Sequence, residues 1–287
     1  MSETSSPVPR IILVGLIGAG IQPSRSPALH MAEGAANGLA YVYRLIDLES
    51  PGLAVPLAEL VAWARHFGFT GLNITHPCKQ AIIPLLDTLS DDARAVGAVN
   101  TVVFTDGGKA VGHNTDWSGF AEGFRRELAG QRRDLVVQLG AGGAGAAVGY
   151  ALLTLGVRQL TIFDTDEKRA THLAERLTTQ FGPGRVAVVD DPQQPVATAD
   201  GLVNTTPIGM AGHPGMPVSA ALLRRDLWVA DVVYFPLETG LLRAARATGC
   251  RTMAGGLMAV FQAAAAFRLF TGIEPDADRM LRHFASM

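Results

Sequence analysis

The stretch NITHPCKQ sets Asn73, Thr75 and Lys79 close together, with Pro77 between them. A buried structural turn would need the proline but not a lysine among polar hydrogen-bonding side chains. The segment therefore reads as a site. A second stretch, Gly140-Ala141-Gly142-Gly143-Ala144-Gly145, follows the apolar run LVVQL and opens a helical pattern. Gly140 allows a tight turn, Gly142 lets the backbone approach a pyrophosphate, and Gly145 lets helix and strand pack closely. The helix N-terminus supplies amide donors to the phosphates.

The next strand, RQLTIFD, ends at Asp164, where a dinucleotide fold places the acid that accepts both ribose hydroxyls of the adenosine. Strand, loop, helix and acid agree, so Gly140, Gly142, Gly143, Ala144 and Gly145 with Asp164 are expected to bind a dinucleotide. A carboxylate at 164 hydrogen-bonds a free 2′-hydroxyl and repels a 2′-phosphate, and Asp166 and Glu167 add to the repulsion. NAD is favoured over NADP. Lys168 and Arg169 cut the other way; at a helix start they make a solvated face, with Arg169 also a candidate to stack on the adenine.

These residues need elements to hold them. Strand IILVGLIG, helix PALHMAEGAANG, strand YVYRLIDL, helix AVPLAELVAWARHF, strand GFTGLNIT and helix CKQAIIPLL, begun by Pro77, follow one another. Such a βαβαβα series implies a mostly parallel sheet. AVNTVVF and KAVGHNTD predict an antiparallel hairpin around Gly107-Gly108, and WSGFAEGFRRELAG an amphipathic helix. A second series of strands runs through DLVVQLG, RQLTIFD, GRVAVVD, DGLVNTT and LWVADVVY, so two sheets are expected, divided near Asp116. GGLMAVFQAAAAFRLFTG and PDADRMLRHF read as closing helices that return to the first part. The expected fold is α/β with two domains. One is discontinuous, residues 1–115 and 250–287, with a mostly parallel sheet; the other, residues 116–249, is a Rossmann domain.

Composition excludes several classes of function. Across 287 residues, 24 basic side chains against 26 acidic ones leave a formal charge of −2, with no basic field to gather nucleic acid or an anionic membrane. A small-molecule substrate fits better. Cys78 and Cys250 form no CxxC pair and no metal spacing, which predicts no metal and a reducing compartment, the cytoplasm by default. MSETSSPVPR has too little apolar length for a signal peptide and predicts a frayed start. No later run matches a membrane span, and monomer and homodimer both remain open.

Several of these pieces together resemble the shikimate/quinate dehydrogenase family, in order along almost the whole chain. GIQPSRSPALH resembles its substrate-binding Ser-x-Ser-Pro motif, with Ser24 and Ser26, and NITHPCKQ its Asn-(Val/Ile)-Thr-x-Pro-x-Lys motif. AVNTV carries its Asn at Asn100, GHNTDWSGF its Asp at Asp116, and NTTPIGM and GLMAVFQAAAAF match two later blocks, the second with Gln262. The resemblance implies a substrate-binding role for the discontinuous domain, with the substrate in a cleft between the domains. It makes Ser24, Ser26, Thr75, Asn100 and Gln262 the polar set around a hydroxylated ring acid. It adds Tyr234 as a contact and puts Asn204, Thr205 and Gly255 near the nicotinamide.

Oxidising a secondary alcohol by hydride removal requires the hydroxyl proton to depart in step. Lys79 is the candidate acid/base, or an ammonium stabilising a developing alkoxide, with Asp116 as its partner. His76 and His113 are read as structural histidines and Cys78 as a packing residue.

Two departures from the biosynthetic pattern stand out. The opening has Pro23-Ser24-Arg25-Ser26-Pro27 in place of His-Ser-x-Ser-Pro, and Asp164-Thr165-Asp166 replaces Asn-Arg-Thr. Both resemble the NAD-using quinate/shikimate branch. The alternatives are an aminoshikimate dehydrogenase, an NADP-using biosynthetic shikimate dehydrogenase, another dehydrogenase of the same plan, or a non-catalytic NAD-sensing protein.

Overall fold

The computed structural model describes residues 10–52 and 54–287, so the frayed start expected at the first residues lies outside them. The chain forms two compact units, Met1–Leu89 with Val99–His113 and Ala266–Met287, and Ser90–Ala98 with Asn114–Ala265. Both are α/β.

The first unit holds β1 (Ile11–Gly18), β2 (Ala40–Asp47), β3 (Gly71–Ile74), β4 (Thr88–Leu89), β5 (Thr101–Phe104) and β6 (Ala110–His113), in the order β2-β1-β3-β5-β6-β4. β1 pairs in parallel with β2 and β3, and β5 and β6 form the expected antiparallel hairpin. The crossovers are α1 (Ser26–Ala36) and α2 (Leu57–His66), followed after β3 by α3 (Cys78–Ala81). The helix read over CKQAIIPLL is shorter than expected: a 3₁₀ turn, Ile83–Leu85, takes over beyond Ala81. Pro84 lacks the amide that an α-helix would need there.

The second unit starts with α4 (Asp91–Val96), then α5 (Asp116–Glu127), β7 (Leu135–Leu139), α6 (Gly143–Thr154), β8 (Gln159–Phe163) and α7 (Glu167–Phe181). β9 (Val186–Val188), α8 (Gln193–Val196), β10 (Gly201–Asn204), β11 (Trp228–Asp231), α9 (Gly240–Thr248) and β12 (Thr252–Met253) complete its sheet. The order is β12-β11-β10-β7-β8-β9, and every pairing is parallel, which is the doubly wound Rossmann arrangement. Alternate residues enter opposite cores. Val136, Leu160, Ile162 and Val203 meet α5, α6 and α7, while Val137, Leu139, Leu202 and Val229 meet α9 on the other face. Burial on both faces explains why these strands are continuous apolar runs.

The chain closes with α10 (Gly255–Thr271) and α11 (Ala277–Ser286). α10 serves both units in turn. Gly119 and Gly123 let α5 approach Met258, Gln262 and Leu257 in its first part, whereas Phe267 and Phe270 join Val14, Leu16, Tyr41 and Tyr43 in the core of the first unit. The division at Ala265 therefore falls within one helix, and Ser90–Ala98 joins the second unit because Val96 and Ala98 are buried in its core.

Candidate active-site residues

In the first sheet β1 lies between β2 and β3, so the chain order reverses there. In open parallel sheets ligands bind at such a switch point, outside the carboxyl ends of the strands. Ser24 and Ser26 follow β1, and Thr75 and Lys79 follow β3. The two loops are tied together: the Ala19 amide donates to the His76 carbonyl (2.9 Å) and the Thr75 amide to the Ile17 carbonyl (2.9 Å). Any Cβ at Gly18 would collide with the Thr75 methyl group, so a glycine at the end of β1 makes room for Thr75.

Asp47, at the end of β2 and buried, shapes the loop that leads to Ser24. Its carboxylate accepts from the Gly20 amide (2.9 Å), the Ile21 amide (3.1 Å), Gln22 Nε2 (3.0 Å) and the Glu49 amide (3.1 Å). Burial pushes this carboxyl up, but the combined hydrogen bonds outweigh it and hold its pKa below the ordinary value. Further along, Ser24 Oγ accepts from the Ser26 amide (3.3 Å), and Pro27 stands in the first turn of α1. Between the serines, Arg25 donates to the Phe284 carbonyl (3.4 Å) and lies over its ring, so α11 backs the serine loop.

Asn73 is buried within β3. Its Oδ1 accepts from Tyr43 Oη (2.9 Å), and its Nδ2 donates to Thr101 Oγ1 (3.1 Å) and the Asn100 carbonyl (3.3 Å). It thus ties β2 to β5 across the sheet. Thr101 Oγ1 in turn donates to Asn100 Oδ1 (3.1 Å), which fixes the sense of the Asn100 amide. The Ile74 amide donates to the Asn100 carbonyl (2.8 Å) and the Val99 amide to the Lys79 carbonyl (2.8 Å). Thr75, Lys79 and Asn100 are in this way held by backbone bonds at one end of β3. Cys78 is buried and its thiol is pushed up by burial, which suits packing rather than nucleophilic chemistry.

In the second sheet the switch point lies between β7 and β10. Gly140 follows β7 with φ +98°, and a Cβ there would press on Thr205, which follows β10. Thr205 Oγ1 reaches the carbonyls of Leu139 (2.7 Å) and Gly140 (2.9 Å). At Gly145 a Cβ would collide with the Gly140 carbonyl, whereas a Cβ at Gly142 would meet nothing within 4 Å beyond its chain neighbours. The turn is therefore closed beneath and open where a phosphate would approach the amides of Gly143 and Ala144.

Asp164 stands at the end of β8. Its Oδ2 accepts from the Ala141 amide (2.7 Å) and its Oδ1 from the Asp166 amide (2.8 Å). A carboxylate oxygen has two lone pairs, so each keeps acceptor capacity for a ribose hydroxyl. Asp166 caps α7 and is held below the ordinary carboxylate range, first by the Arg169 amide and against its burial. Arg169 donates to Asp166 (3.0 Å) and lies 3.7 Å from Asp164. Its guanidinium is engaged by the two acids.

Asp116 opens α5 and is buried. The Asn114 side chain turns the chain into that helix, accepting from the amides of Asp116 (3.1 Å) and Trp117 (3.2 Å) while donating to the Ala98 carbonyl (2.9 Å). Gln262 donates to the Ala259 carbonyl (2.9 Å), and a Cβ at Gly119 would lie 2.6 Å from its amide nitrogen. The close approach at Gly119 thus brings Gln262 within a helical turn of Asp116.

Asn204 is fully buried, bonded to Asp231 (3.0 Å), Ile208 and Thr206. Asp231 also accepts from Thr239 (2.7 Å) and the Val233 amide (3.1 Å), anchoring the loop that exposes Tyr234. Burial raises the carboxyl of Asp231 despite these bonds. A Cβ at Gly255 would collide with the Val232 carbonyl, so glycine lets α10 start against this loop. Asn204, Thr205 and Gly255 shape their surroundings through internal contacts.

The sequence does not single out Asp47, Gln138 or Asp231: Asp47 and Asp231 take partners more than twenty residues away, Gly20 and Asn204 among them, and the bonds of Gln138 to Gly140 and Gly145 depend on how the glycine turn folds back over its strand. Among the described residues no group of three or more His, Cys, Asp or Glu side chains is placed to hold a metal. No described helix is long and apolar enough to cross a membrane.

A Rossmann sheet with its glycine turn at the switch point and an acid at the end of the neighbouring strand β8, in one chain with a second α/β unit bearing polar loops, fits the class of dinucleotide-dependent oxidoreductases of small molecules. Residues 16–102 match the Shikimate dehydrogenase substrate binding domain and residues 258–283 the Shikimate 5′-dehydrogenase C-terminal domain. A shikimate dehydrogenase (NADP(+)) of Streptomyces avermitilis is 58% identical over 96% of this chain and 95% of its own. A quinate/shikimate dehydrogenase (NAD(+)) of Corynebacterium glutamicum is 52% identical over 96% and 99%. The solved structure of quinate dehydrogenase from C. glutamicum in complex with NAD matches at 51% identity with TM-score 0.93, covering 97% of this chain and 100% of that one. The chain belongs to the shikimate/quinate dehydrogenase family, NAD(P)-dependent oxidoreductases acting on a CH–OH group.

Proposed function

We propose that this enzyme interconverts shikimate or quinate and the corresponding 3-dehydro ketone, with NAD preferred over NADP. Asp164 carries the cofactor preference. Its carboxylate is locked to the glycine turn through Ala141 and shares Arg169 with Asp166. A free 2′-hydroxyl gains an acceptor there, whereas a 2′-phosphate meets two carboxylates whose nearest cation is already engaged. The NAD-named Corynebacterium relatives support this choice; the NADP-named Streptomyces relative is the reason to test it.

Ser24, Ser26, Thr75, Asn100, Tyr234 and Gln262 provide donors and acceptors for the ring hydroxyls and carboxylate. Lys79 exchanges the proton of the reacting hydroxyl, or as an ammonium steadies the oxygen while charge develops on it. Asp116, buried at the start of α5, orients Lys79 and balances its charge. A bound nicotinamide supplies the hydride acceptor; the remaining tasks, gripping, orienting and moving the proton, fall to these side chains. Residues 1–115 with 250–287 act as the substrate part and 116–249 as the cofactor part.

Initial rates with NAD and NADP, each with shikimate and quinate, test the reading on one purified sample. The expected outcome is a kcat/KM higher with NAD for at least one acid. Turnover with NADP alone would overturn the role given to Asp164, and silence with all four pairs would favour aminoshikimate as substrate.

A further inference from the structure

Gln138 is a fully buried polar side chain in the middle of an apolar strand, and the proposed reaction leaves it without a role. It lies beneath the glycine turn. Its Nε2 donates to the Gly140 carbonyl (2.9 Å) and to the Gly145 carbonyl (2.9 Å), the first and last glycines of the motif. Its Oε1 has no hydrogen-bond partner; a Cβ at Gly149 would lie 3.3 Å from it. The amide sense is set by the bonds, because the flipped side chain would point oxygen at two carbonyls.

Neither carbonyl has Gln138 as its sole donor in reach. The Gly140 carbonyl lies 2.9 Å from Thr205 Oγ1, whose single proton it shares with the Leu139 carbonyl, itself already bonded to the Thr205 amide, and Gly145 lies in the first turn of α6, where its carbonyl has the ordinary helical donor four residues on. An apolar side chain at 138 would avoid a buried orphan acceptor, which is costly. Stability therefore does not explain the residue, but geometry does. The Gly140–Ala141 peptide is held at both ends, its carbonyl by Gln138 and its N–H by Asp164 Oδ2 (2.7 Å). Fixing that plane fixes the Asp164 carboxylate and the direction of the amides that follow.

We infer that Gln138 is a positioning residue for cofactor recognition: it sets the glycine turn and, through the Gly140–Ala141 peptide, the carboxylate that meets the adenosine ribose. The inference rests on the reading of Gly140–Gly145 as the dinucleotide turn.

The test compares wild type with Gln138→Met, Gln138→Glu and Gly142→Val, using direct NADH binding by fluorescence and steady-state kinetics. Gln138→Met should raise the Kd for NADH and the KM for NAD about tenfold, the worth of one or two hydrogen bonds. Its kcat at saturating NAD, its KM for the ring acid and its thermal midpoint should stay near wild type. Gln138→Glu should bind weakly at pH 8 and recover part of the affinity as the pH falls, because a buried carboxyl beside two carbonyls is protonated readily and then donates to one of them. Wild-type NADH affinity in Gln138→Met, or no pH-dependent recovery in Gln138→Glu, would overturn the inference. Gly142→Val separates the two readings: if it retains NADH binding, the turn is not the dinucleotide site and the inference falls with it. If Gly142→Val loses binding while Gln138→Met keeps it, only the role of Gln138 is wrong.

Discussion

Lys79 occupies the second position of a four-residue helix, so little regular structure depends on its side chain. Lys79→Ala should lower kcat by about 10²–10⁴, the usual contribution of a positioned proton-transfer group, while the KM for NAD stays within about twofold. Rates near wild type under saturating substrates would remove Lys79 from the mechanism. Lys79, Thr75 and Asp164 are legible in the sequence because each is a chemistry-bearing type at a fixed distance from a strand end. Asp47 and Gln138 are not. Asp47 reads as the polar end of a strand, and only the fold brings the amides of Gly20 and Ile21, well over twenty residues away, onto its carboxylate. Gln138 reads as a polar interruption of an apolar run, and its meaning depends on how closely α6 approaches β7.

At the level of elements, the long apolar strands and amphipathic helices follow from periodicity, whereas the strand orders that create the two switch points come only from the fold. Nor do the shorter pieces follow from periodicity. β4 and β12 are two residues each and α4 six, below the length at which a period can be counted, and they form because neighbouring elements supply their partners. The substrate loop after β1 shows how an element end can matter more than its length. Asp47 holds four donors of that loop and its surroundings, and Ser24 follows directly. Asp47→Asn keeps the shape but replaces one acceptor oxygen by an NH₂ group facing donors. It should raise the KM for the ring acid about fivefold or more, as expected for losing one such bond, and leave NADH binding unchanged. Equal effects on both ligands would mean general unfolding rather than a displaced serine loop, and circular dichroism on the same sample would distinguish them.

Across the molecule, the last helices return to the first sheet, and His30 of α1 sits where β2 meets the second half of α10. Its Nδ1 is 3.0 Å from Tyr41 Oη, and its ring contacts those of Tyr43, Phe267 and Phe270. Complete burial lowers its pKa to about 3, so the folded protein keeps this imidazole neutral in mildly acid solution. The unfolded chain, with an ordinary histidine pKa of about 6.5, takes up a proton there that the folded chain refuses. Stability is consequently full above about pH 6.5, declines as the pH falls below it, and stops declining on this account only near pH 3. One such proton corresponds to about 2 kcal/mol between pH 7 and pH 5. Urea unfolding at these two pH values should show that loss in the wild type, and His30→Gln should show a loss smaller by about this amount whatever its own stability. The comparison cancels the carboxylates, which titrate in both proteins alike. Identical pH slopes in the two proteins would mean that His30 is protonated within the fold and that the aromatic cluster around it opens to water.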